Sequence, residues 1–107
     1  MKFTSYSFHC SLAATEARRL LAGLMSGIKH IHALGVVHRD VKPENILLNN
    51  GTPILADFGW AARMTTGKLR GMVGSIAYMA PEVHLDNEYD EKVDLWSAGM
   101  FLTHLFL

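Results

Sequence analysis

The stretch His38-Arg39-Asp40-Val41-Lys42-Pro43-Glu44-Asn45 decides how the rest of this sequence is interpreted. It holds a carboxylate, a cation two residues later and an amide five residues after the carboxylate. An apolar run, Ile46-Leu47-Leu48, follows at once. A surface loop does not need this order of groups, whereas a site that handles phosphate and a metal ion does.

The composition is that of a globular protein. The 107 residues suit one small domain or a piece of a larger one; half are hydrophobic and 19% are charged. Ten basic and ten acidic residues cancel, so nothing favours nucleic acid or an acidic membrane surface as a partner. The single cysteine, Cys10, fits a reducing compartment. With no signal-peptide pattern and no apolar run of ~20 residues, we expect a cytoplasmic protein without a membrane span.

A long amphipathic helix is predicted before the opening stretch, over residues 15–34. Apolar residues recur there at three- and four-residue spacing. Thr15 is the expected N-terminal cap and Gly35 the expected C-terminal cap. Gly23 and Gly27 are expected to mark a close packing contact.

A β-hairpin is predicted directly after the opening stretch. Two short apolar runs, Ile46–Leu48 and Pro53–Ala56, flank Asn50-Gly51, a strong signal for a hairpin turn. The hairpin brings Asn45 and Asp57 to the same edge, although twelve residues separate them.

The second half of the chain is predicted to be a loop followed by two helices. Residues 60–79 show no sustained period and hold three bases and no acid, which indicates an irregular, mobile loop. Pro81 favours a short helix to about Leu85. A second long helix is predicted from about Asp90 to the end of the sequence. It is apolar on nearly all sides, so we expect it in the middle of a core.

The polar residues at the hairpin edge suit phosphoryl transfer. Two carboxylates and an amide oxygen, from Asp40, Asp57 and Asn45, suit a Mg²⁺ ion that keeps several waters. Lys42 adds a positive charge for a phosphate oxygen. A carboxylate that the metal does not need can orient a hydroxyl group as a base.

Three motifs in this order resemble the protein kinase signatures. Residues 38–45 match H-R-D-x-x-x-x-N, residues 57–59 match D-F-G, and residues 80–82 match A-P-E. Lys42-Pro43-Glu44 and the segment 74–79 resemble the serine/threonine-specific branch. The subfamily, calcium/calmodulin-dependent-like or related, stays open.

The resemblance implies an α+β fold, namely a mainly α-helical fragment of the kinase large lobe with a short β-hairpin at the active site. Residues 1–14 are expected to be an irregular segment and residues 15–107 a partial, truncated kinase domain. We expect the small N-terminal lobe to be absent, because no G-x-G-x-x-G-x-V loop and no V-A-I-K-like strand occur in the 107 residues. The implied parts are a catalytic loop (38–45), an activation segment (57–82) and a central helix (90–107).

The resemblance also implies roles in catalysis. Asp40 accepts or orients the proton of the substrate hydroxyl, and Lys42 lies on the transferring phosphate. Asn45 and Asp57 hold Mg²⁺ against the phosphates of ATP. Leu47 is the apolar residue beneath the adenine ring.

Four residues have implied structural roles. His38 and Phe58 resemble parts of an apolar spine that links the two lobes. Glu82 is expected to pair with an arginine beyond the 107 residues. Asp94 is expected to tie the central helix to the backbone of the catalytic loop.

The remaining implied roles are regulatory. Arg39 resembles the arginine of kinases whose activation segment is ordered by phosphorylation. Thr65, Thr66 and Ser75 are the candidate acceptors, with plain solvated hydroxyl groups as the alternative. Ser75 can instead hydrogen-bond Asp40 and Lys42.

The predicted activity is transfer of the γ-phosphate of ATP to serine or threonine hydroxyls of a protein substrate. An upstream activating kinase is a further candidate partner. The isolated 107 residues are expected to transfer little phosphate alone, because half of the nucleotide site is missing from them. The alternative is a catalytically inactive kinase-like regulatory or scaffolding fragment.

Overall fold

The computed structural model describes residues 14–65 and 67–106, with only the backbone for residue 106. Within these residues the fold is α+β, with three helices, four short strands and two single 3₁₀ turns. The helices are α1 (Ala14–Ala33), α2 (Pro81–His84) and α3 (Lys92–Phe106). The strands are β1 (Val36–Val37), β2 (Ile46–Asn49), β3 (Thr52–Leu55) and β4 (Ala62–Arg63), and the turns are Pro43–Asn45 and Ile76–Tyr78. Predictions on residues 1–13, Thr66 and Leu107 lie outside the described residues.

Helix α1 agrees with the predicted amphipathic helix to within one residue at either bound. Its buried residues keep the three- and four-residue spacing and are Ala17, Leu20, Leu24 and Ile28. Thr15 lies inside the helix, so its prediction as the N-terminal cap was wrong. At the other end Gly35 has a φ of +76°, and its N–H donates to the carbonyl of His32 at 2.9 Å. The predicted glycine cap is therefore confirmed.

Only one of the two helix glycines marks a close packing contact. A Cβ atom on Gly23 would lie 2.5 Å from Cγ of Pro53, so the helix needs glycine there to approach the hairpin. A Cβ atom on Gly27 would meet nothing within 4 Å. The prediction was right for Gly23 and wrong for Gly27.

The predicted hairpin is present, with β2 and β3 paired antiparallel. Ile46 faces Leu55 and Asn49 faces Thr52. Asn50 and Gly51 both have positive φ, +52° and +81°, as a two-residue type I′ turn requires. The Asn-Gly pair therefore fixes the register of the hairpin, and with it the pairing of Ile46 with Leu55 at the end opposite the turn.

The loop after the hairpin is more regular than predicted. Strand β4 pairs antiparallel with β1, with Val36 facing Arg63, and Leu69 forms an isolated bridge with Tyr89. Two-residue strands are too short to show a hydrophobic period, so the sequence pattern could not reveal them. These pairings attach the loop to the rest of the fold at two points.

Helix α3 is buried on one side rather than all round. Ala98, Phe101 and Leu105 join the buried face of α1 in the main core cluster. Leu95 and Trp96 remain 43% and 46% exposed. The expectation of a fully buried helix was wrong for the described residues, because α1 and the 76–78 turn cover only one side of α3.

The turn before α3 is held by an aspartate. Asp90 accepts a hydrogen bond from the N–H of Lys92 at 2.9 Å. This bond is the main cause of the lowered pKa of Asp90; burial opposes it, and the charges of Lys68 and Lys92 assist it. The helix begins two residues after the Asp90 start that the pattern predicted.

None of the described helices combines the length and the apolar character that crossing a membrane requires.

Candidate active site

Residues 38–45, called the catalytic loop after their predicted role, are fastened to α3 by one buried carboxylate. Asp94 is fully buried and accepts hydrogen bonds from the N–H of His38 at 2.8 Å and the N–H of Arg39 at 2.9 Å. The expected tie between the central helix and the loop backbone is present. Because carboxylate hydrogen bonds are among the stronger ones, this tie fixes the backbone just before Asp40.

A histidine that sequence reasoning missed completes the environment of Asp94. Nε2 of His32 lies 2.8 Å from Oδ2 of Asp94. The spacing along α1 could have indicated this role. His32 is four residues after Ile28, which is buried, so it lies on the inward face of α1. A polar side chain on a buried face needs a polar partner.

His38 links the catalytic loop to the chain that leads to Asp57. Its ring nitrogens contact the carbonyl of Ala56 at 2.8 Å and the N–H of Asp40 at 3.1 Å. Since Nδ1 must accept from the Asp40 N–H, Nε2 carries the proton and donates to Ala56. The ring also makes an edge contact with Phe58, with centroids 4.8 Å apart. The two residues proposed for the apolar spine are therefore in contact.

The carboxylate of Asp40 is held from both sides. The hydroxyl of Ser75 donates to Oδ1 at 3.1 Å, and Nδ2 of Asn45 donates to Oδ2 at 3.1 Å and to the Asp40 carbonyl at 2.8 Å. Nζ of Lys42 donates to the Ser75 hydroxyl at 2.7 Å and lies 3.8 Å from Oδ2 of Asp40. The structure thus brings Asp40, Lys42, Asn45 and Ser75 into one network.

Asn45 and Asp57 lie at the same end of the hairpin. The N–H of Ala56 donates to the carbonyl of Asn45 at 2.8 Å, which places Asp57 one residue beyond that pairing. Asp57 is exposed, has a φ of +57°, and accepts a hydrogen bond from the N–H of Gly59 at 3.2 Å. Leu47 faces Ile54 on the same hairpin. The predicted convergence of the two metal-binding candidates is present in the backbone.

These residues fit Mg²⁺ bound together with phosphate. Because the amide nitrogen of Asn45 makes both hydrogen bonds to Asp40, its oxygen is the atom left for a metal ion. Among residues 14–65 and 67–106 no three His, Cys, Asp or Glu side chains form a metal-binding group. Mg²⁺ commonly uses one or two protein oxygens, with waters and substrate phosphates as its other ligands, and this donor set suits that mode.

The segment after Ser75 is anchored on α3. The hydroxyl of Ser97 donates to the carbonyl of Tyr78 at 2.5 Å, and the Tyr78 hydroxyl lies 2.9 Å from Nδ1 of His104. Burial raises the pKa of Tyr78, and the negative charge of Glu44 adds to the effect. The protonated phenol can donate to Nδ1 of His104.

Gly74 sits directly on the catalytic loop. Its φ is +103°, and a Cβ atom built on it would collide with the carbonyl oxygen of Arg39 and lie 3.8 Å from Oδ1 of Asp40. The missing side chain is therefore what lets Ser75 reach Asp40.

We expect Gly74→Ala to destabilise the chain more than Gly71→Ala does. Both glycines have strongly positive φ, +103° and +110°, so each alanine costs about 1–3 kcal/mol of backbone strain. Only Gly74 has the backbone contact, which adds about 1–3 kcal/mol of overpacking. Urea unfolding of the two variants measures the difference. Equal losses would contradict the close contact.

The regulatory candidates differ in their surroundings. Thr65 is exposed, Ser75 is half-buried in the Asp40 network, and Thr66 lies outside the described residues. Arg39 has a φ of +70° and donates from Nε to the carbonyl of Trp60 at 2.7 Å. Glu82 lies in α2, and its pairing with a distant arginine stays a prediction.

The comparison with known families agrees with this geometry. A family model described as the protein kinase domain matches residues 2–107. The chain belongs to the protein kinase family. The predicted resemblance and the α+β fold class are therefore confirmed.

Three similar proteins are kinases by name, and two of them are named serine/threonine-protein kinases. The chain is 54% identical over 89 residues to the serine/threonine-protein kinase PEPKR2 of Arabidopsis thaliana, covering 81% of this chain and 19% of the relative. It is 41% identical over 97 residues to the serine/threonine-protein kinase shk2 of Schizosaccharomyces pombe, covering 88% and 16%. A putative mitogen-activated protein kinase 14C of Drosophila melanogaster is 39% identical over 102 residues, covering 94% and 28%. This chain therefore spans less than a third of the length of these relatives.

Proposed function

We propose that this chain carries the catalytic loop and the metal-binding residues of a protein serine/threonine kinase, which transfers the γ-phosphate of ATP to a protein hydroxyl. The observation that supports this most is the Asp40 network, in which each carboxylate oxygen accepts one hydrogen bond, from Ser75 and from Asn45. A carboxylate fixed in this way can accept a proton from a substrate hydroxyl in a defined direction. Protein substrates, an upstream activating kinase and a cytoplasmic location belong to the proposal.

The other residues supply position and charge. Lys42 already lies at the hydroxyl of Ser75, so its ammonium can lie on a phosphate oxygen while Ser75 keeps it near Asp40. Asn45 and Asp57 would hold Mg²⁺, which neutralises the charge on the ATP phosphates when bound. His38 and Asp94 keep the loop backbone fixed while the proton moves to Asp40.

A chimaera tests this function, because a related kinase supplies the parts of the domain outside the 107 residues. This chain replaces the matching segment of PEPKR2, and transfer of label from [γ-³²P]ATP to a protein substrate is measured. We expect activity clearly above that of an empty-vector preparation.

The alternative, a catalytically inactive regulatory or scaffolding chain, predicts the opposite result. A chimaera that is folded by circular dichroism and inactive would contradict the proposed function. The intact set of Asp40, Lys42, Asn45 and Asp57 favours the active form, because a chain that only binds partners has no need to keep all four.

A further inference from the structure

The guanidinium of Arg39 connects the catalytic loop to two separate parts of the activation segment. Its Nε donates to the carbonyl of Trp60 at 2.7 Å, and its Nη1 reaches the carbonyl of Arg70 at 3.4 Å. The same Nη1 donates to the hydroxyl of Tyr89 at 3.1 Å. Of these three partners of the Arg39 guanidinium, only Tyr89 lies outside the activation segment.

Tyr89 holds the activation segment through both its backbone and its side chain. Its N–H donates to the carbonyl of Leu69 at 2.9 Å, and the N–H of Leu69 donates back to the Tyr89 carbonyl at 2.8 Å. The Tyr89 hydroxyl donates to the carbonyl of Gly71 at 2.7 Å while it accepts from Arg39. One residue therefore binds positions 69 and 71 and the arginine next to Asp40.

The tyrosine is itself rigidly placed. It is only 3% exposed and packs in a core cluster with Val37, Val83 and Val93. The cavity beside Arg39 and Tyr89 measures about 10 Å³, which is room for a single water at most. The hydroxyl therefore cannot exchange its partners for a larger group unless the chain moves.

Charge does not hold this part of the loop in place. Residues 60–79 contain three bases and no acid. Within residues 14–65 and 67–106, these bases form one ion pair with an acid, Lys68 with Asp90 at 3.5 Å, which is exposed and contributes little. Hydrogen bonds to the carbonyls of Trp60, Arg70 and Gly71 hold it instead, together with the β1–β4 pairing and the Leu69–Tyr89 bridge.

We propose that Tyr89 is a positioning residue for phosphoryl transfer. Its hydroxyl couples residues 69–71 to Arg39 and so sets the path of the chain that carries Ser75 to Asp40. The link uses only unmodified groups, so it acts on the loop before any phosphorylation of Thr65. The catalytic consequence rests on the proposed function, whereas the link itself does not.

Limited trypsin digestion of the 107-residue chain tests the link. The bond after Arg70 is the reporter, because Arg70 is exposed and lies inside the segment that Tyr89 holds. We expect Tyr89→Phe to speed cleavage after Arg70 about tenfold, since cleavage follows the population of the opened loop and two hydrogen bonds are lost. Tyr78→Phe is the matched control, because it removes a tyrosine hydroxyl that contacts His104 on α3 rather than residues 69–71. In Tyr78→Phe the rate of cleavage after Arg70 is expected to stay within twofold of the wild-type rate.

A double-mutant cycle separates coupling from general loosening. In an Arg39→Lys background, which keeps the charge and the trypsin site but loses the forked donors, Tyr89→Phe is expected to speed cleavage only about threefold, because the bond to Gly71 is the one left to lose. Cleavage after Arg70 that is unchanged in Tyr89→Phe overturns the proposal. Equal acceleration at Arg70 and at Arg18 in α1 also overturns it, because that pattern means global destabilisation.

Activity of the chimaera tests the catalytic consequence separately. Tyr89→Phe is expected to lower kcat while leaving KM for ATP unchanged, because Asn45 and Asp57 are not touched. An active wild-type chimaera with unchanged kcat in Tyr89→Phe contradicts the positioning role. An inactive wild-type chimaera contradicts the proposed function instead, and the digestion still decides whether Tyr89 holds the loop.

Discussion

Asp40→Asn is expected to lower kcat of the chimaera for phosphoryl transfer by about 10²–10⁴-fold, the usual contribution of a positioned acid–base group. The amide keeps the size of the side chain and one oxygen that can accept from Asn45 or Ser75. It loses the negative charge and the capacity to take a proton from the substrate hydroxyl. KM for ATP is expected to change little, because neither metal-binding candidate is replaced.

A matched control for this variant is Asp86→Asn. Asp86 is exposed and has a φ of +56°, a conformation that asparagine also tolerates. It undergoes the same chemical change far from the Asp40 network in sequence, and full activity is expected. A less than tenfold loss in Asp40→Asn would mean that Asp40 does not handle the proton.

Asp94→Asn is expected to cause the largest loss of stability, about 3–5 kcal/mol in the free energy of unfolding. Asp94 accepts from the backbone of His38, the backbone of Arg39 and the ring of His32. An amide can accept at one atom only, so its NH₂ group faces at least one N–H donor in a fully buried position. Small domains are stable by only about 5–15 kcal/mol, so the variant is expected to be close to unfolding.

Urea unfolding followed by circular dichroism measures this loss. Asp90→Asn is the control at the start of the same helix, since asparagine caps helices about as well as aspartate and a loss below about 1 kcal/mol is expected. A loss below about 1 kcal/mol in Asp94→Asn as well would contradict the anchoring role of Asp94.

Local sequence patterns predicted the elements that hold the active site. The 3.6-residue period placed α1, and Asn50-Gly51 placed the hairpin and its register. The hairpin in turn explains why Asn45 and Asp57 lie at the same end of it, since the first strand begins and the second strand ends there. These features depend on residues close together in the chain, so the pattern contains the information.

The anchoring contacts could not be predicted in the same way. His32 and Asp94 are 62 residues apart, and Arg39 and Tyr89 are 50 apart. Hydrogen bonds over such distances leave no periodic trace, so the sequence pattern indicated neither a role for Tyr89 nor the attachment of the loop over residues 60–79. The exposure of Leu95 and Trp96 was missed because an apolar residue shows that burial is favourable, not that a covering element is present.

Phosphoamino-acid analysis of the substrate labelled by the chimaera tests the central claim most directly. The account predicts ³²P on serine and threonine from the wild-type chimaera, and loss of that label in Asp40→Asn. A folded wild-type chimaera that leaves the substrate unlabelled, or labels only tyrosine, would contradict it.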